Sequence, residues 1–370
     1  MKQTRHLLIA LALGTMLTSC GASDSTAMVT GPAAYVDPYI GSGGHGHVFV
    51  GASVPFGAIQ AGPQNIHKGW DWCSGYHHSD SIVIGFAHTH LSGTGCTDMG
   101  DVQIMPYTGE LRSKRGRQED IGGSCSSYYS HDNESVSPGY YSLKMDNGVR
   151  IEMTASTRTA LHRITYPEAE GRRLLINLEE GNGDGAYDTY LRQTDAHTVE
   201  GYRFSKGWGP HKVFFALTTD KPIRSLALFD ADTPSEGSEI RCKGAKGVLT
   251  FDDEKQVMVK VAISSVSSAN ALENLRTEIP GWDFKAVQAE AIRRWNDELA
   301  AIDTFNAAGG TVILAGWSDN YENYDVIQSN PAIKHMAATQ NEVLAALGSS
   351  LRISDDATYD DVRSAADGVD

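Results

Sequence analysis

With 370 residues, 41% of them apolar and 21% charged, the chain is long enough for two domains and apolar enough for a folded core. Its 46 acidic groups outnumber 31 basic ones, a net −15 whose sign speaks against phosphate binding and against nucleic acid as a partner. The 38 glycines suit a loop-rich β protein, and a neutral, hydroxyl-rich ligand such as a sugar is compatible with the charge.

Residues 1–19 read as an export signal. Lys2, Arg5 and His6 precede the apolar run Leu7 to Leu13, which is too short to span a membrane as a mature helix. Leu17-Thr18-Ser19-Cys20 resembles the bacterial lipobox, in which Cys20 becomes the lipidated first residue; an ordinary signal peptide with an incidental cysteine is the other reading. The expectation is an exported bacterial lipoprotein, periplasmic or at the cell surface, held to the membrane by acyl chains. Cys73, Cys96, Cys125 and Cys242 remain, with three possible pairings among them and no C-x-x-C spacing for zinc or redox work.

Residues 20–34 are small and polar and read as a linker. From Tyr35 onward, short alternating runs are broken by Gly, Asp and Asn. Tyr140 to Met145 and Val149 to Ala155 flank Asp146-Asn147-Gly148, the strongest hairpin signal in the chain. Further strands are expected at Thr159 to Tyr166, Arg173 to Leu178, Lys212 to Thr218, Val248 to Phe251 and Gln256 to Val266. Close spacing without long intervening helices predicts a large antiparallel β-sandwich over 35–278. Near Pro280 the period changes. Phe284, Val287, Ala291, Trp295, Leu299 and Ile302 recur at three- and four-residue steps, which predicts a helical linker over 279–302. Residues 303–370 form an acidic tail, 11 acidic groups against 3 basic, with one short helical run from Met336 to Leu347.

Four clusters between residues 37 and 101 could carry chemistry. In Asp37-Pro38-Tyr39-Ile40-Gly41-Ser42-Gly43-Gly44-His45-Gly46-His47 the glycines permit close approach of backbone to a ligand, or simply a tight loop at a sandwich edge. No Lys-Ser or Lys-Thr follows, so a phosphate cradle is discounted. Trp70-Asp71-Trp72-Cys73-Ser74-Gly75-Tyr76-His77-His78 offers aromatic faces for a pyranose ring. On a strand the two tryptophans would face opposite ways, so one can meet ligand while the other is core. His88-Thr89-His90 is a geometry shared by metal ligands and by hydrogen-bonded supports of a loop, and no third ligand stands at a diagnostic spacing. Asp98 and Asp101, three apart, could serve as acid and base only if separated by roughly 5–10 Å across a sugar; as a pair in a turn they read more simply as caps.

Taken in order these motifs are specific. Tyr35-Val36-Asp37-Pro38 with GSGGHGH, Gly51-Ala52-Ser53-Val54-Pro55-Phe56-Gly57, WDWCSGYHHSD, IGFAHTHLSGTG and the Asp98 to Pro106 stretch resemble the amino terminus of glycoside hydrolase family 92. The resemblance runs through Pro138-Gly139-Tyr140-Tyr141 to Ile279-Pro280-Gly281-Trp282-Asp283-Phe284, about residues 35–302. It implies a supersandwich like that of galactose mutarotase, followed by an (α/α)6 barrel, and calcium-dependent, inverting hydrolysis of α-mannosides from glycans. The general acid, general base and calcium ligands would belong to the barrel, leaving this chain with no catalytic residue and no metal of its own. The sandwich would lend Trp70, Asp71, Gly43, Gly44, His45, His88 and His90 to a mannose-containing glycan. Residues 303–370 do not resemble the barrel entry and are too few for six helical hairpins, so the chain alone is expected to be inactive. A non-catalytic mannoside-binding module, or a structural partner of a separately encoded barrel, is the alternative.

Overall fold

The computed structural model describes residues 27–116 and 121–308. The export signal, Cys20 and the run from Met336 to Leu347 lie outside them.

Nine strands make one antiparallel sheet, in spatial order Glu239–Cys242, Ala186–Gln193, Thr198–Ser205, His211–Thr219, Gln256–Ser264, Thr159–Thr165, Arg150–Ala155, Tyr140–Lys144 and Glu134–Ser137. A second sheet runs Gly62–Gln64, Gly85–Ala87, Gln103–Tyr107, Arg173–Asn177, Ala245–Thr250, Ser225–Asp230 and Thr233–Ser235. The architecture is the antiparallel sandwich expected from strand spacing.

Period-two alternation explains the layering. In Gln256–Ser264, Val257, Val259, Val261 and Ile263 join the core shared by the two sheets. Met258 on the opposite face joins a separate cluster with Tyr140, Leu161, Ile279 and Phe284, beneath the helices. The larger sheet is therefore covered on both faces at its centre, with the buried Arg163–Glu152 pair and Lys260 on the helix side. The hairpin forms as expected, with Asp146-Asn147-Gly148 as a three-residue loop. Gly148 N–H donates to the Met145 carbonyl, Gly148 takes φ 85°, and the Asn147 side chain accepts from Val149 N–H. A type I turn followed by glycine in the left-handed region is the second common hairpin solution after the two-residue one.

The helical part differs from expectation in two ways. Ser268–Glu278 (α1) is a helix, where sandwich was expected up to 278; Ser267 caps it by accepting from Asn270 N–H. Only Ala271 and Leu275 of α1 are buried, which leaves a thin apolar stripe for sequence to show. The second helix, Phe284–Ala307 (α2), follows the predicted periodicity and continues past residue 302. Gly139 lets it pack closely: a Cβ there would lie 2.7 Å from the Ala291 methyl. The Lys260 ammonium donates to the Ile279 carbonyl at 2.6 Å and pins the turn between the helices.

The described part of the expected linker is structured. Gln288 of α2 accepts from Ala27 N–H at 2.8 Å, and Asn296 accepts from Ala33 N–H and donates to the Thr30 carbonyl. Small residues here let the chain lie close against a helix. Among the described residues no helix is long and apolar enough to cross a membrane. Cys73, Cys96, Cys125 and Cys242 are free thiols.

Candidate functional site

The glycine-rich loop is built by its own backbone. Gly46 N–H donates to the Gly43 carbonyl and Val48 N–H to the Gly41 carbonyl. A Cβ on Gly46 would sit 2.2 Å from the Gly41 oxygen and 2.5 Å from its Cα, so no other residue fits. Gly43 is buried, and the Gly44 carbonyl is 3.1 Å from His77 Nε2. These two glycines shape the loop from within. The loop delivers His45 and His47 to the same place.

Trp70–Trp72 is a single 3-10 turn rather than a strand. Near three residues per turn, the two indoles still point different ways. Trp72 stacks on His77 at 4.5 Å, and its Nε1–H donates to Asp80. Trp70 remains 52% exposed. Its Nε1–H donates to the Gly95 carbonyl at 2.8 Å, and the His47 ring meets it edge-on at 4.2 Å and 88°. His45 lies 5.2 Å away, tilted. The carboxylate of Asp71 contacts His45 Nδ1 and lies 3.5 Å from His47 Nε2. Trp70, Asp71 and His45 thus converge as expected, with His47 as a further member from the same motif.

His88 and His90 do not belong to this surface. His88 is fully buried, its Nδ1 2.6 Å from the Val102 carbonyl and its Nε2 2.9 Å from His162. His90 is 3% exposed, its Nδ1 on the Gln60 carbonyl and its ring stacked on Phe49. Burial pushes both rings down to about 4, so they are neutral supports of the loop above them. The expectation that they touch sugar fails on burial.

Asp98 and Asp101 act as fasteners, though not as helix caps. Asp98 accepts from the Met99, Trp208 and Gly209 backbone N–H groups and so holds the loop that presents Trp208, 80% exposed. Asp101 is fully buried and accepts from Thr89 Oγ1, from Arg203 at 2.6 Å, and from His211 at 3.1 Å. Burial alone would raise its pKa; the His211 hydrogen bond and the Arg203 charge outweigh that and hold it below the ordinary carboxylate value. His211 is pushed up to about 9, first by its hydrogen bond to Asp101, with burial opposing.

Three residues that sequence reasoning missed lock the rim together. Arg203, itself fully buried, also donates to Asp184 at 2.9 Å and to the Leu178 carbonyl. The Asn182 amide donates to the Trp72 and Cys73 carbonyls, while Asn182 N–H donates to the Met99 carbonyl. His211 joins Asp101 from the Trp208 side. His47, Met99 and Val102 take positive φ at 55°, 63° and 54°, a clustering of backbone strain that marks functional loops in many proteins. Only Asn182, in Gly181-Asn182-Gly183-Asp184-Gly185, sits in a motif that sequence could have flagged.

The profile of the glycosyl hydrolase family 92 N-terminal domain matches residues 35–264. A family 92 α-mannosidase of Bacteroides thetaiotaomicron, solved with mannoimidazole bound, superposes with a TM-score of 0.70 at 34% identity, over 72% of this chain and 37% of its own. A second enzyme of that organism, a family 92 inverting mannosidase, shares the fold at a TM-score of 0.64 and 24% identity, over 75% of this chain and 37% of its own. An uncharacterized secreted glycosidase of Arthroderma benhamiae is 26% identical over 306 residues, which is 72% of this chain and 38% of that protein. The chain therefore spans well under half the length of these relatives.

Proposed function

We propose, since the chain belongs to glycosyl hydrolase family 92, that it forms the sugar-contacting N-terminal domain of an exported enzyme that hydrolyses terminal α-mannosides of glycans with inversion. The observation that carries this is Trp70: a half-exposed indole held by Gly95 and by the edge of His47, with the hydrogen-bonding groups of Asp71 and His45 beside it. An aromatic face with a few placed polar groups is how a pyranose is gripped, its C–H face on the ring and its hydroxyls on the flanks. The relative solved with mannoimidazole supports mannose as the sugar, and the secreted relative supports export. Lipid anchoring through Cys20 remains part of this reading, resting on the Leu-Thr-Ser-Cys junction.

Inverting hydrolysis needs an acid at the leaving oxygen and a base activating water on the other face, roughly 6.5–9.5 Å apart. Within the described residues, Asp101 is sealed in an ion pair and Asp98 is spent on three backbone donors, so neither is placed for that work. The acid and base are assigned to an (α/α)6 barrel partner. The two candidate metal groups among the described residues do not suit calcium, because each offers two imidazoles, whereas calcium takes oxygens; the calcium of this reading is assigned to the barrel. The test assays the 370-residue chain for mannose release from an α-linked disaccharide, with calcium and with chelator, alongside tryptophan-fluorescence titration with mannose. No turnover is expected, with weak binding that Trp70→Ala abolishes. Calcium-dependent turnover by the chain alone, or binding untouched by Trp70→Ala, would overturn the assignment.

A further inference from the structure

His47 is almost wholly buried, and one of its ring nitrogens has no hydrogen-bond partner. Its Nδ1 lies 2.8 Å from the carbonyl oxygen of Thr94. A carbonyl only accepts, so Nδ1 carries a proton; in the neutral ring Nε2 then keeps its lone pair, whereas in the imidazolium it carries a second proton. Nε2 points toward Asp71 Oδ1 at 3.5 Å. With the ring neutral, two acceptors face each other here, an arrangement relieved by a proton on Nε2 or by a metal cation between them. The second imidazole, His45, reaches the same carboxylate oxygen with Nδ1. One ligand atom from each of His45, His47 and Asp71 lies within 4.8 Å of the others.

From this geometry we infer that His45, His47 and Asp71 form a site for a first-row divalent transition metal, with zinc the natural occupant. Two imidazoles and one carboxylate are a donor set zinc accepts with a fourth position left open, and they are poor company for calcium or magnesium. Zinc bonds of about 2.0–2.1 Å in a tetrahedron set ligand atoms about 3.3–3.4 Å apart, close to the distance between His47 and Asp71; His45, hydrogen-bonded to the same carboxylate, has to draw back to that spacing for the metal to enter. The Thr94 carbonyl does what outer partners of metal-bound histidines do: it fixes the tautomer and aims the ring. The side chains of His45 and Asp71 keep 24% and 29% of their exposure, so the open position faces solvent on the Trp70 side, where water or a hydroxyl of a ligand can complete it.

The other candidate group, His78, His131 and Glu134, lacks this character. Glu134 already accepts from the hydroxyls of Tyr76 and Tyr141 and from His131. A metal there would have to displace several buried hydrogen bonds.

The site shares His45 and Asp71 with the proposed sugar platform, but its test is separate from the sugar reading, because metal uptake is measured with no sugar present. Zinc is titrated by calorimetry into the tag-free 370-residue chain after chelator treatment, and cobalt(II) absorption reports coordination geometry. The expected result is one zinc per chain and a tetrahedral cobalt spectrum, with binding lost as the imidazoles protonate in acid. His47→Ala and Asp71→Asn should each weaken binding by at least the ~10–100-fold that loss of an outer-shell partner costs, while His131→Gln leaves it unchanged. Thermal unfolding in chelator checks that the variants fold; Asp71→Asn preserves size and carries the test if His47→Ala does not fold. No zinc uptake at millimolar concentration, or uptake that survives both His47→Ala and Asp71→Asn, would overturn the site.

Discussion

Replacing Arg203 by methionine should destabilise the domain strongly while keeping side-chain length. Arg203 and Asp101 are both fully buried, and Asp184 nearly so. Without the guanidinium, two carboxylates stay in the interior and the Leu178 carbonyl loses its donor. Breaking a buried ion pair by removing one partner costs about 3–5 kcal/mol. Thr89 and His211 still hold Asp101, so the low end, about 3 kcal/mol, is expected. For a domain of this size that lowers the melting temperature by about 6–12 °C. The pH profile gives an independent signature. Asp101 is held below its ordinary value when folded, so its contribution is full above the unfolded pKa, about 3.9, and is lost as pH falls through the folded pKa. The gap between wild type and Arg203→Met should be widest near neutrality and narrow below about pH 4. Circular-dichroism melts from pH 3 to 8 read both. A neutral-pH shift under about 2 °C, the range of an ordinary surface substitution, would refute the argument that this pair is a main fastening of the rim.

Gly46→Ala should displace the loop carrying His45 and His47, because its Cβ would collide with Gly41 backbone rather than with a side chain that can move. A cost of about 1–3 kcal/mol is expected, with loss of mannose binding in the fluorescence titration; unchanged binding would mean that the loop does not shape the site. His211→Gln should flatten the alkaline arm of stability. The wild-type contribution is full below about 6.5, the unfolded value, and is lost as pH rises through about 9, so melts from pH 6 to 10 should fall more steeply for wild type than for the variant.

Local pattern carried most of the fold. Alternation in Gln256–Ser264 assigns four residues to the sandwich core, and the Asp146-Asn147-Gly148 loop declares its own turn. What alternation cannot show is that the opposite face of that strand is covered too. Met258 looks like a solvent-side residue that happens to be apolar until the turn between the helices, with Ile279 and Phe284, is placed over it. Helix α1 escaped because it buries two residues, and a stripe so narrow has no clear period to read.

The site divides along the same line between near and far in sequence. Trp70, Asp71 and the two histidines of the glycine loop lie in short motifs whose residue types suggest contact with a ligand, and the fold brings them together. His88 and His90 belong to an equally suggestive motif, yet their function is to be buried. Residue type alone cannot separate a histidine that meets ligand from one that meets His162, 74 positions away. Arg203 is the converse case. In the alternating strand Thr198–Ser205, an arginine flanked by Tyr202 and Phe204 reads as surface, and only its partners, 102 and 19 positions distant, make burial tolerable. A buried charge is set by where its counter-charge arrives, and that is a property of the topology. The residues that grip a ligand can therefore be proposed from motifs, whereas those that hold the grip in place have to be found in three dimensions.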